Sequence, residues 1–250
     1  MSAEEVHAKH SPLDQFKIEK IFDLHIGTID VSFTNSALYM VIATVLLIGS
    51  LLLATRKRAM VPSRLQVVAE SMYNFIYDLT KSSIGESGHK YFPLIFSLFG
   101  FILLCNVLGL TPYSFTPTSH VAVTLGLAMI AFICIVICAI VHNGIIGFFA
   151  MFIPSGVPLW MAPMIFVIEF FSFLIRPVTL SVRLFANMVA GHVLLKVVAG
   201  FILTLGVTFG FLPFLFDAIM IGFELFVACL QAYIFAVLVC AYLSDIYKAH

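Results

Sequence analysis

The chain has 250 residues, of which 62% are hydrophobic and 10% are charged, and its formal net charge is zero. Because soluble domains carry about 25% charged residues, this composition excludes an ordinary soluble domain, and the absence of net charge gives no indication of nucleic-acid binding. A transmembrane helix needs about 20 mostly apolar residues, so a chain of this length has room for roughly five or six of them.

The first predicted membrane span covers residues 36–55 and ends at the basic cluster Arg56-Lys57-Arg58. Basic residues beside a span favour the cytoplasmic side, so we expect the polar N-terminal segment, residues 1–35, to lie on the outer side. This segment lacks the basic region and short apolar run of a cleavable signal peptide. We therefore expect a multi-pass protein of a bacterial inner membrane, with the mitochondrial inner membrane as the alternative.

The next element, residues 62–83, differs from a membrane span because charged positions alternate with apolar ones at helical spacing. This pattern predicts an amphipathic helix lying on the cytoplasmic interface, although a soluble linker helix would show the same spacing. Apolar runs at residues 91–111 and 119–141 predict the second and third spans. The glycines and prolines of residues 142–160 predict a partly irregular stretch.

The last two apolar runs, residues 161–205 and 208–247, are each about forty residues long. A fully helical segment of that length measures roughly 60 Å, twice the thickness of a bilayer core. Each run is therefore either two short helices or one long, strongly tilted helix. Neither run has a polar turn at its middle, so we predict two tilted helices. The result is an all-α polytopic fold with five spans, a single membrane domain over residues 36–250, and a cytoplasmic C-terminus.

Charged and polar residues within these two runs are the strongest functional signal of the sequence. A charge at the centre of a membrane helix costs about 2.5–3.5 kcal/mol on insertion scales, so it needs a partner or an aqueous path. Positions seven apart lie on nearly the same helical face, and we expect two such faces to border a proton path. The first face carries Glu169, Arg176, Arg183 and Asn187, and the second carries Asp217, Glu224 and Gln231.

His192 lies half a turn round the helix from Arg183 and therefore points toward a different neighbour. We expect that neighbour to be Glu224, because a histidine and a carboxylate together can pass protons near neutral pH. One interpretation of Asp217 places it near the outer surface, where it lines an entrance.

Some of these polar residues have a structural interpretation as well. Arg176 and Lys196 lie near the expected ends of their segment, where ion pairing or snorkelling would explain them. Asn106 in the second span is either a lining residue or a hydrogen-bonding group between helices. Arg183 differs from these, because it lies mid-segment among apolar residues.

The five cysteines lie in apolar runs, and none is spaced from a histidine as metal ligands are. We expect unreactive packing thiols, and neither a metal nor a cofactor.

Three stretches of the chain carry distinctive motifs: NVLGLTPYSFTP at residues 106–117, RPVTLSVRLFANMVAGH at residues 176–192 and LQAYIF at residues 230–235. Together they resemble the signature of subunit a of F-type ATP synthases, the proton-channel subunit. The similarity covers essentially the whole chain from about Ser11, and the arginine motif is the most specific part.

The resemblance implies that Arg183 faces a ring of c subunits. Its permanent charge would attract a c-subunit carboxylate that has lost its proton and would block direct flow between two half-channels. The resemblance further implies an inward half-channel with Glu169, and an outer one with Glu224, His192, Asn187 and Gln231. Many bacterial relatives have the acid and the histidine exchanged, so the order found here resembles the alphaproteobacterial and mitochondrial branch.

By this resemblance the chain is a proton-translocating stator subunit and not itself an enzyme, since it has no G-x-x-x-x-G-K-[ST] nucleotide loop. The expected partners are c-ring subunits, b-type peripheral stalk subunits, the soluble catalytic head and membrane lipid, but no nucleic acid. The alternative is a secondary ion-coupled transporter, although that class usually shows internal repeats, which this chain lacks.

Overall fold

A computed structural model describes residues 20–23, 25–26, 29–30, 32–56, 62–111, 115–153, 158 and 160–248. Predictions on other positions, such as Lys57 and Arg58, lie outside the described residues. Within the described residues, four short strands precede the helix that begins at Asn35: β1 (Lys20–Phe22), β2 (His25–Ile26), β3 (Ile29–Asp30) and β4 (Phe33–Thr34). They form two antiparallel pairs, β1 with β4 and β2 with β3. The sequence pattern did not predict these pairs.

Six α-helices follow within the described residues. They are α1 (Asn35–Thr55), α2 (Arg64–Ile84), α3 (Phe92–Gly109), α4 (Val121–Ala150), α5 (Ala162–Phe209) and α6 (Phe211–Lys248). All except α2 are long and apolar enough to cross a membrane. The predicted all-α polytopic fold with five spans is therefore confirmed.

Helix α2 has well-defined ends and one buried face. The hydroxyl group of Ser63 accepts a hydrogen bond from the backbone N–H of Gln66 at 3.3 Å, as an N-cap residue does. At the other end Gly85 has φ +84°, which suits glycine, and its N–H donates to the carbonyl of Lys81 at 2.9 Å. Ile76 is fully buried, whereas Val68 on another face is 65% exposed. An amphipathic helix thus forms where the sequence predicts one, and its place on the interface stays a prediction.

The stretch predicted as partly irregular contains more helix than expected. Helix α4 consists of two helical stretches joined by a kink at Gly144, where the backbone has φ +71° and ψ 174°, and the second stretch ends at Ala150. Packing stabilises the second stretch, because the ring of Phe148 lies 5.3 Å from that of Phe152 and 6.1 Å from that of Phe173. Burial of these rings offsets the local break that glycine introduces.

Helices α5 and α6 are each continuous, with 48 and 38 residues. Pro177 lies inside α5 without ending it, and only Gly210 separates the two helices. The prediction of two long helices is therefore right, although residue 208 belongs to α5 and not to the following helix. Their lengths of roughly 70 and 57 Å exceed a bilayer core of about 30 Å, so we continue to expect strong tilt.

The chain packs as two compact units, which divide several of the helices. Unit 1 comprises residues 1–50, 100–120 and 184–232, and unit 2 comprises residues 51–99, 121–183 and 233–250. The buried apolar residues of unit 1 include Ala43, Ile102, Cys105, Phe115, Leu184, Met188, Ala228 and Ala232. Those of unit 2 include Ile76, Ile95, Phe99, Ala131, Ile135, Phe148, Phe152, Phe173, Phe235 and Leu243.

All five cysteines are free thiols. Cys105 and Cys240 are buried, as the packing interpretation predicts, whereas Cys229 on α6 is exposed.

Candidate functional site

The histidine and the acid that the sequence predicts to be neighbours lie close together in unit 1. The Nδ1 atom of His192 is 3.9 Å from Oε1 of Glu224, and the two side chains are only 12% and 4% exposed. Within the described part of the chain, neither carboxyl oxygen of Glu224 has a hydrogen-bond partner. A distance of this size exceeds a direct hydrogen bond, and one bridging water or a small side-chain rotation would close it.

Gly191 explains how the carboxyl group of Glu224 can lie against the backbone of α5. A Cβ atom at Gly191 would be 2.5 Å from Oε1 of Glu224 and 2.8 Å from its Cδ. These distances are shorter than van der Waals contact, so any other residue at this position would displace the carboxyl group. The sequence did not predict a role for Gly191, because a glycine within an apolar helix has no distinctive spacing.

A cavity of about 380 Å³ lies beside Glu224 in unit 1. Asn187, Gly191 and Glu224 provide its polar lining, and apolar side chains such as Met220 and Phe223 provide the rest. A water molecule occupies about 30 Å³ in the liquid, so the cavity has room for a short chain of waters. Water in this cavity would therefore reach the buried carboxyl group of Glu224.

Two further members of the predicted polar faces join α5 to α6. The amide Nδ2 of Asn187 donates a hydrogen bond to Oε1 of Gln231 at 3.1 Å, and Gln231 is 1% exposed. Asp217 is half-buried on α6, and its Oδ1 has no hydrogen-bond partner among the described residues. Asn187 thus contacts Gln231, and His192 contacts Glu224. Asp217 forms no hydrogen bond with either pair.

Asn106 is completely buried in unit 1 and bonds to two other segments. Its Nδ2 donates to the backbone carbonyl of Ala228 at 3.3 Å, and its Oδ1 accepts from the hydroxyl of Thr118 at 2.9 Å. Of the two interpretations of Asn106, this geometry matches the hydrogen bond between helices.

Thr116, in the same segment as Thr118, reaches the imidazole. Its Oγ1 is 3.0 Å from Nε2 of His192 and donates to the carbonyl of Gly109 at 3.3 Å. Sequence reasoning missed both threonines. The only available signal was their position in or directly after the NVLGLTPYSFTP motif.

In unit 2 the two arginines of α5 have different surroundings. The Nη1 atom of Arg176 is 3.7 Å from Oδ2 of Asp245, and its Cζ lies 4.7 Å from the centre of the Tyr242 ring. Arg183 is exposed, and no carboxylate among the described residues forms an ion pair with it. Glu169 is half-buried on the same helix, again without an ion pair among those residues. Among the residues that the structure describes, the charge of Arg176 is therefore compensated by an acid, and that of Arg183 is not.

A separate polar contact in unit 2 joins the residue before α3 to the end of α6. The hydroxyl groups of Tyr91 and Tyr247 are 2.9 Å apart, and the ring of His142 lies 4.4 Å from that of Tyr247. Burial, together with the hydrogen bond to Tyr247, raises the pKa of the Tyr91 phenol.

No group of three or more potential metal ligands comes together in the residues that the structure describes. The described residues include five helices long and apolar enough to cross a membrane and a buried histidine–carboxylate pair whose acid lines a cavity, which are features of an ion-translocating membrane subunit. A family model for the ATP synthase A chain matches residues 37–244, and the chain belongs to this family. The predicted resemblance to subunit a is thereby confirmed, whereas the branch of the family stays a prediction.

Membership of this family makes the chain a multi-pass subunit of the membrane sector of F-type ATP synthase. The family is the proton-translocating a subunit, which is non-catalytic and assembles with the c-ring and the stalk of the complex.

Proposed function

We propose that this chain supplies two half-channels to the carboxylates of a c-ring, with Arg183 as the essential charge between them. The observation that carries the proposal is the exposed guanidinium of Arg183 on a membrane helix, without an acidic partner among the described residues. Arg176, on the same helix, forms an ion pair with Asp245.

The exposed charge of Arg183 carries an energetic cost in a membrane. An uncompensated charge within a membrane helix costs about 2.5–3.5 kcal/mol, and a guanidinium group does not lose its proton in a protein. A carboxylate on another subunit would offset that cost. A c-ring carboxylate that has released its proton would be held beside Arg183, and a neutral one would pass into the lipid. The same positive charge would repel protons and keep the two half-channels separate.

We assign the outer half-channel to Glu224, His192, Asn187 and Gln231, with Asp217 at its entrance. The support is the cavity of about 380 Å³ that Asn187 and Glu224 line. A histidine and a carboxyl group 3.9 Å apart are suited to exchange a proton in either direction.

The inward half-channel is assigned to Glu169 on α5. Arg176 and Asn106 are assigned structural roles, because each has its partners within the chain.

The proposed setting of the subunit is a bacterial inner membrane, with the mitochondrial inner membrane as the alternative. Residues 1–35 would lie on the outer side, residues 36–250 would form one membrane domain, and the C-terminus would be cytoplasmic. The partners would be the c-ring, b-type stalk subunits and the soluble head. The order of His192 and Glu224 supports placing the chain in the alphaproteobacterial and mitochondrial branch.

The decisive experiment measures ATP-driven proton pumping in vesicles that contain the whole complex. Arg183→Ala is expected to abolish pumping while the complex still assembles. Arg183→Lys is not expected to restore it, since an ammonium is a compact, strongly hydrated charge without the planar guanidinium geometry. Arg176→Lys is the matched control on the same helix and should pump nearly normally.

Normal pumping by Arg183→Ala would refute the proposal. Purification of the chain from its native membrane as a small homo-oligomer, without c-ring or stalk, would instead favour a secondary transporter.

A further inference from the structure

The hydroxyl group of Thr116 contacts two polar groups but has only one proton to donate. Its Oγ1 lies 3.3 Å from the carbonyl oxygen of Gly109 and 3.0 Å from Nε2 of His192. Thr116 is 3% exposed, so water competes little for these bonds. The distribution of one proton among these contacts bears on which nitrogen of the imidazole carries hydrogen.

We propose that Thr116 is a positioning residue that keeps the proton of neutral His192 on Nε2. A carbonyl oxygen can only accept, so the bond to Gly109 uses the hydroxyl proton of Thr116. The oxygen of Thr116 then accepts from Nε2–H, and 3.0 Å is a typical length for an N–H···O bond. A neutral imidazole protonated at Nε2 carries its lone pair on Nδ1. That nitrogen is the one that faces Oε1 of Glu224, at 3.9 Å.

The surroundings hold the threonine hydroxyl in this position. A Cβ atom at Gly109 would lie 2.5 Å from both Oγ1 and Cγ2 of Thr116, so only glycine lets the side chain approach. The hydroxyl of Ser119 donates to the carbonyl of Thr116 at 2.6 Å. Thr118, bonded to Asn106 at 2.9 Å, anchors the same segment. The position of Thr116 is thus supported by contacts with α3 and with its own segment in addition to the contact with His192.

The consequence concerns proton exchange, and it rests on the function proposed above. When Glu224 is protonated, its O–H bond breaks and an N–H bond forms on Nδ1 of His192, which leaves a carboxylate and an imidazolium. The imidazolium keeps its Nε2–H bonded to Thr116, and the reverse step returns the proton from Nδ1. The other neutral tautomer would point an N–H group at Glu224 and could not accept. Thr116 therefore keeps an acceptor directed at Glu224 in each cycle.

The test compares complexes that contain Thr116→Val and Thr116→Ser with the unmodified complex. Valine keeps the shape and removes the hydroxyl, and serine keeps the hydroxyl. The tautomer of His192 is read from ¹⁵N NMR of histidine-labelled complex at alkaline pH. Subtracting the spectrum of a His192→Gln complex leaves the signals of His192. We expect hydrogen on Nε2 in the unmodified and serine complexes, and a mixture of tautomers in the valine complex. ATP-driven pumping should fall about tenfold with valine, because a buried N–H without an acceptor is disfavoured, and serine should restore it.

Hydrogen on Nδ1 of neutral His192 in the unmodified complex would overturn the assignment, and this measurement does not require either Thr116 variant to fold. A valine complex that pumps normally and keeps the Nε2 tautomer would overturn it as well. Failure of the proposed function is recognised separately. In that case Arg183→Ala pumps normally, whereas the tautomer in the unmodified complex still decides the role of Thr116.

Discussion

Gly191→Ala is the smallest change that should disturb the buried acid without altering any charge. The added Cβ atom would lie 2.5 Å from Oε1 of Glu224, whereas ordinary van der Waals contact begins near 3.4 Å. The carboxyl group must therefore retreat by about 0.9 Å, the difference between these two distances. The retreat would change the distance between Glu224 and His192 and the polar lining of the neighbouring cavity.

The expected effect is on rate and not on stability. Alanine favours a helix over glycine by about 1 kcal/mol, so α5 itself should not weaken. Displacement of a reacting group by about 1 Å can cost as much as 100-fold in rate. We expect proton flux through the complex to fall by roughly 10- to 100-fold.

The assay is ATP-driven acidification of vesicles, corrected for the amount of assembled complex. Gly200→Ala on the same helix is the matched control, because a Cβ atom there meets nothing within 4 Å. Adding Glu224→Asp to Gly191→Ala should recover part of the flux, since the shorter acid withdraws from the new methyl group. Equal flux in the Gly191→Ala and Gly200→Ala complexes would refute the steric argument.

Three other predictions use contacts outside this pair. Asn106→Leu should lower the stability of the complex by about 1–2 kcal/mol, because it removes the oxygen that accepts the hydrogen bond from Thr118. An unchanged midpoint temperature of thermal inactivation would contradict this prediction. A double-mutant cycle of Arg176→Gln and Asp245→Asn should give a coupling below about 1 kcal/mol, since the side chains are 30% and 57% exposed. At about pH 11, above the usual tyrosine pKa, Tyr91→Phe should remove no tyrosinate absorbance, because burial raises the pKa of Tyr91. Neutral Tyr91 therefore stabilises the folded chain at neutral pH, and this stabilisation is lost only at strongly alkaline pH. Loss of one full tyrosinate signal in the variant would contradict the raised pKa of Tyr91.

The positions of the helices along the chain were largely predictable, since they depend on local composition. An apolar run that lacks a polar turn has only one satisfactory backbone structure in lipid, the α-helix. The continuity of α5 and α6 follows from this rule. The helical stretch that follows the kink at Gly144 does not, because the aromatic contacts of Phe148 that stabilise it come from α5 and from the residues that follow α4.

The sequence by itself determined which residues carry charge in apolar surroundings and which of them share a helical face. A spacing of seven residues puts Glu224 on the same helical face as Gln231, and Glu169 on the same face as Arg176, because helical periodicity is a local property. It likewise predicted His192 and Glu224 as neighbours.

Only the tertiary structure decided how those side chains are held. Gly191 admits the carboxyl group of Glu224, and Thr116 reaches His192 across 76 positions of sequence. Asp245, on another helix, forms an ion pair with Arg176, whereas Arg183 is exposed. Contacts between segments so far apart depend on side-chain packing and not on any period along the chain. For that reason these partners become visible only once the helices have packed.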